Sequence, residues 1–145
     1  MMQKKFHVLA LCSLALLAGC AKNGAVSTSQ TPEQIVQQRA TERWNLMIAR
    51  DFDKVYEYTD TAYRLVNTPI DLDRKYGGKR YRVGVNWTKA EFISVECGTP
   101  DRCVTKFSVS SLVNVPPSFT NMEINNVPTE EVWLLQDGNW FYYMN

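Results

Sequence analysis

The chain has 145 residues, with 16 Lys+Arg against 15 Asp+Glu, a balance that excludes the basic footprint of a nucleic-acid binder. Its single histidine, His7, lies near the start, so the rest of the chain can hold no Ser-His-Asp or Cys-His arrangement and no histidine metal ligand. The length fits one domain, and neither a metal nor a cofactor is expected.

At the N-terminus, Lys4 and Lys5 precede an apolar run from Val8 to Leu17, which closes on Leu17-Ala18-Gly19-Cys20. A charged start, an apolar stretch of about ten residues and small residues at its end make an export signal, because a spanning helix needs roughly 20 apolar residues. The closing tetrapeptide resembles the bacterial lipoprotein signal. That resemblance implies removal of residues 1–19, acylation of Cys20 and a bacterial envelope location. Ala21, in place of Asp after the cysteine, points to the outer membrane, facing the periplasm. At about 0.8 kcal/mol per buried methylene, two or three acyl chains on Cys20 would anchor the protein essentially permanently without spanning the bilayer. Residues 20–145 retain 14 of the 16 Lys+Arg and all 15 Asp+Glu, a formal balance of −1.

Residues 20–31 are expected to form the lipidated cysteine and a flexible tether, since Ala21 to Gln30 is rich in Ser, Thr, Asn and Gly. At no more than about 3.5 Å per residue, this tether reaches roughly 35 Å. Thr31-Pro32-Glu33-Gln34 then combines a capping threonine, a proline at the first helical position and a glutamine placed to return the cap. Val36, Ala40, Trp44, Met47 and Ile48 recur at helical spacing through about Arg50, with Gln37, Gln38, Arg39, Glu42 and Arg43 on the polar side. Asp51 can cap a short second helix carrying Phe52, Val55 and Tyr56, and a further turn holds Ala62 and Tyr63. After Pro69 a polar stretch runs to a break at Gly77-Gly78.

From Tyr81 onward β-branched and aromatic residues dominate, and four strands are expected near 88–97, 102–115, 120–136 and 139–144. Three hairpins join them: Cys97 to Cys103, Val115-Pro116-Pro117-Ser118, and Asp137-Gly138, the sharpest turn signal of the three. Val127-Pro128 should bend or bulge the third strand, because proline lacks the ladder donor. Cys97 and Cys103 bracket the first hairpin and fit a structural disulfide, since two thiolates alone are too few for zinc. Helices followed by a meander of antiparallel strands make an α+β domain over residues 32–145, its curved sheet wrapping the first helix.

Arg39-Ala40-x-x-Arg43-Trp44, Ile48-Ala49-Arg50-Asp51-Phe52, Tyr56-x-Tyr58, Ala62-Tyr63-Arg64 and the closing Val132-Trp133-Leu134-Leu135 to Asp137-Gly138-x-Trp140 resemble small NTF2-like proteins (the nuclear transport factor 2 and ketosteroid isomerase fold). The resemblance implies a cone with a pocket at its open end, to which Trp44, Tyr58, Tyr63, Arg64 and Trp133 would contribute, and homodimerisation through the outer sheet face. It is compatible with two functions. The first, and the one expected here, is a non-catalytic module that binds a protein or envelope component. The alternative is an isomerase or dehydratase with an Asp or Glu base acting on a small apolar substrate. For that base, Asp60, Asp71, Asp73, Glu91, Glu123, Glu130 and Glu131 are all available, and no spacing selects one. Basic residues Arg74, Lys75, Lys79, Arg80 and Arg82 are diluted by Asp71 and Asp73, which argues against RNA.

Overall fold

Thr31 caps the first helix as its spacing predicts: Gln34 N–H donates to its hydroxyl at 3.3 Å, and its own N–H donates to the Gln34 side chain at 2.9 Å. The computed structural model describes residues 29–76, 85–115 and 120–144. The expected leader, Cys20, most of the expected tether, the expected break at Gly77-Gly78 and the expected turn at Pro116-Pro117 lie outside them. Helix α1 spans Pro32–Ala49 and ends where Arg50 turns left-handed at φ 59°. Two short helices follow, α2 (Phe52–Tyr56) capped by Asp51 and α3 (Thr61–Val66) capped by Asp60.

The polar stretch after Pro69, for which no element is expected from the sequence, is a fourth helix, α4 (Pro69–Lys75). It repeats the grammar of α1: threonine at the cap, proline in the first turn, and a side chain three residues on that returns the cap, Asp71 here where α1 has Gln34. Thr68 N–H and hydroxyl both donate to Asp71, at 2.9 and 2.7 Å, and these bonds hold the Asp71 carboxyl below its ordinary range.

Strands β1 (Val85–Thr99), β2 (Arg102–Val115), β3 (Thr120–Gln136) and β4 (Asn139–Tyr142) form one antiparallel sheet in chain order. Strand β4 ends earlier than expected, but the Tyr58–Asp60 segment runs beside it. Tyr142 N–H donates to Tyr58 O at 2.7 Å, and Asp60 N–H to Tyr142 O at 2.9 Å. The hairpin signals hold where described. Asp137 and Gly138 take φ of 50° and 78°, the paired left-handed geometry a two-residue hairpin needs. Cys97 pairs with Cys103 directly across β1 and β2, and the two are joined as a disulfide. In β3 the bulge falls just before Val127, where Asn126 is left-handed at φ 57° and the register with β2 shifts.

Helix α1 lies against β1, β2 and β4. The core beneath it contains Val36, Ala40, Trp44 and Met47 from the helix, and Cys103, Phe107, Val109, Trp133 and Trp140 from the sheet. Phe52, Val55 and Leu72 extend it under α2 and α4. Among the described residues no helix is long and apolar enough to cross a membrane.

Candidate functional site

The expected division of α1 into apolar and polar sides fails at one residue. Arg43 sits three residues after Ala40 and four before Met47, inside the apolar stripe, and is buried with them. Its Nη1 donates to Glu131 Oε1 at 2.5 Å, and both side chains are only 2% exposed. Glu131 faces inward because it shares strand parity with Trp133, whose Nε1 donates to Glu131 Oε2 at 3.3 Å. The guanidinium also lies over Tyr142, with its carbon 3.9 Å from the ring centroid, and 5.6 Å from the Trp44 ring.

Burial pushes the Glu131 carboxyl up, against the opposing pull of Arg43 and the Trp133 N–H. The same burial raises the phenols of Tyr76 and Tyr142, the latter to about 12, so both stay protonated around this pair. Arg43 Nε, Trp44 Nε1 and Thr105 Oγ1 are buried without a hydrogen-bond partner among the described residues. Thr105 stands directly opposite Glu131 in the β2–β3 register. An aromatic wall adjoins the cluster: Trp44 lies 6.3 Å from Trp87 and 5.9 Å from Phe107, and Tyr76 lies 5.1 Å from Trp87.

Two carboxylates are buried among the described residues, Glu131 and Asp60, and both are already committed. Asp60 accepts from Tyr63 N–H at 3.1 Å and from Met144 N–H at 2.9 Å, tying α3 to the end of β4. Glu131 is committed to Arg43 and Trp133. Neither has the idle oxygen that a general base presents to a substrate. Glu91 and Glu130 are surface residues in ion pairs with Lys89 (2.8 Å) and Lys106 (3.2 Å), and Glu123 is exposed. Among the described residues no group of His, Cys, Asp and Glu could hold a metal ion.

The five residues expected at a pocket fall in two places. Trp44 and Trp133 face the helix–sheet interior. Tyr58, Tyr63 and Arg64 are half-buried along the β4 side. Tyr58 donates to Glu42 at 3.1 Å and lies under Arg39, while Arg64 sits 4.7 Å from the Phe141 ring. Tyr63 lines an open groove of about 470 Å³ with Val66, Asp71, Lys75, Tyr143 and Met144. Tyr143 also borders a second cleft, of about 250 Å³, on the outer sheet face with Arg102, Val132 and Leu134. Arg43, expected on the polar side of α1, is buried instead, and no spacing selects a carboxylate, although helical spacing from Ala40 and strand parity with Trp133 carry the signal for Arg43 and Glu131.

No family model matches the chain, and no curated protein sequence matches it. Among solved structures it is similar to a SEC-C motif containing protein from Rhodopseudomonas palustris, at 12% identity and a TM-score of 0.51, over 73% of each chain. It is also similar to the association domain of CaMKII from C. elegans, at 13% identity and a TM-score of 0.45, over 74% of this chain and 88% of that one. The first likeness shows the fold alone: a small α+β domain built on an antiparallel sheet.

Proposed function

We propose that the protein is a lipid-anchored, NTF2-like binding module of the bacterial envelope, with no catalysis of its own. In this reading residues 1–19 are a lipoprotein signal, Cys20 carries the lipid, residues 20–31 are the tether, and residues 32–145 are the working domain on the periplasmic face of the outer membrane. The partner is an envelope protein or a second copy of the chain, met through the outer sheet face.

One observation carries the non-catalytic part: both buried carboxylates among the described residues are held by partners that fix the fold. The cone reading is supported by the long α1 laid across a four-strand meander. The outer face supports partner contact by its mixture of apolar and charged groups, where Arg102, Val132, Leu134 and Tyr143 frame a cleft beside the Lys106–Glu130 pair.

The alternative enzyme has one observation in its favour, the raised Glu131 carboxyl within an aromatic interior. It would require Glu131 to leave Arg43 during turnover.

The test is affinity purification from solubilised membranes, with mass spectrometry of what co-elutes. Leu134→Lys, placed in the outer cleft, should abolish capture while leaving the melting temperature within a few degrees of the wild type. Undiminished capture by this variant would remove the sheet face from the proposal. An unmodified Cys20 thiol in the native product would remove the anchor.

A further inference from the structure

The two most exposed large apolar residues on the described surface are neighbours in sequence: Leu65 at 80% and Val66 at 82%. They end α3, and Ile70, at 48% exposure, opens α4 just after the turn. Three exposed aliphatic residues thus fall within one stretch, Leu65 to Ile70, around the α3–α4 turn, a cluster rather than the single scattered apolar residues that need no explanation. Behind them, Tyr63 and Tyr143 line the groove that Val66 also borders. Amphipathic rings set back from an apolar tip are the arrangement found at membrane–water interfaces.

Residues 60–76 hold Arg64, Arg74 and Lys75 against Asp60, Asp71 and Asp73, but Asp60 is buried and held by backbone N–H groups, and Asp71 is paired with Arg74. Arg64 takes part in none of the ion pairs among the described residues. Its guanidinium rests on Phe141, which leaves its charge uncompensated by a carboxylate.

We propose that the α3–α4 corner is a membrane contact, in which Leu65, Val66 and Ile70 enter the interfacial region of an anionic bilayer while Arg64 stays at phosphate level. The occupant is the bilayer itself, and this rests on the anchor reading above. A tether of about a dozen residues, at roughly 3.5 Å each, keeps any face of so small a domain within reach of the surface that holds Cys20. The corner would then fix which face looks down, leaving the outer sheet face free for a partner. Its apolar side chains supply the insertion and Arg64 the preference for anionic headgroups.

The test uses the full, natively processed protein reconstituted into vesicles. Ile70→Cys and, as a control on the exposed side of α1, Thr41→Cys are each labelled with an environment-sensitive fluorophore. In vesicles of phosphatidylcholine with about one-third phosphatidylglycerol, quenching of the Ile70 label by nitroxide-bearing lipid should exceed that of the Thr41 label by about threefold or more. Adding Leu65→Ser and Val66→Ser should return the label to water, and Arg64→Gln or pure phosphatidylcholine should reduce the quenching. A protein that stays on the vesicles with an aqueous Ile70 label overturns the corner and leaves the anchor standing. A protein that leaves the vesicles altogether overturns both. Quenching unchanged by the serine substitutions, or their loss of a co-purifying protein without change in quenching, would make the corner a protein contact and overturn the proposal.

Discussion

Glu130 and Glu131 are consecutive residues of β3, each paired with a cation, and they live in different solvents. Glu130 meets Lys106 at 3.2 Å with side chains 63% and 46% exposed; Glu131 meets Arg43 at 2.5 Å with both at 2%. Strand alternation sends one outward and the next inward, and that single step changes what the same chemistry does. Outside, water and ions screen the attraction, and the pair contributes little to stability. Inside, desolvation of both groups offsets much of the attraction, yet removing either partner strands the other in a medium that cannot solvate it. The interior pair therefore holds α1 to β3, and the outer pair leaves its strand face hydrated.

The most damaging way to break this contrast is Arg43→Met. It should cost about 3–5 kcal/mol at neutral pH by leaving a buried, unpaired carboxylate. The loss should also depend on pH with a definite sign. Burial already raises the Glu131 carboxyl, and Arg43 is the chief force pulling it down, so the variant raises it further. Stability is then fullest below the ordinary carboxylate range and falls as pH rises through the raised value, which denaturant titrations across acid and neutral pH will register. Adding Glu131→Leu should restore most of the loss at neutral pH and flatten the pH dependence.

Replacing Cys97 and Cys103 together by alanine should cost about 2–3 kcal/mol, the loop-closure contribution of so short a staple, with the difference seen in thermal melts. Burial of Tyr142 lifts its phenol from 10.0 to about 12. Stability from this group is present below pH 10 and lost as pH rises through 12, so its phenolate absorbance should emerge late and together with unfolding. The smallest effect belongs to the outer pair, where Glu130→Gln should shift stability by less than about 1 kcal/mol in a chemical melt. A cost there equal to that of Arg43→Met would dissolve the contrast between the two faces.

Much of the scaffold is legible in the chain because its signals are local. Thr31-Pro32-x-Gln34 starts α1, Asp51 caps the helix that follows, and the limits of β2 and β3 agree with their β-branched runs and turns. Helix α4 was readable by the same capping rule at Thr68-Pro69-x-Asp71, but its polar composition masks it, since only Leu72 is fully buried. The interior pair is harder to see. Arg43 lies on the apolar stripe and Glu131 shares parity with Trp133, yet a charged residue in a core pays its way only through a partner 88 positions distant. No local rule supplies that partner. Tyr58, Tyr63 and Arg64 are grouped by sequence proximity with the helical half of the chain, whereas their surroundings are set by β4, which arrives only at the end.

The most direct test of the account is to compare the Arg43→Met, Glu131→Leu double variant with the wild type in affinity purification from solubilised membranes, where the proposed partner should co-elute. If the interior pair serves the fold and the outer face serves the function, the folded variant retains the same co-eluting set. A folded double variant that loses capture, while Leu134→Lys keeps it, would put the working chemistry inside the domain and contradict the account.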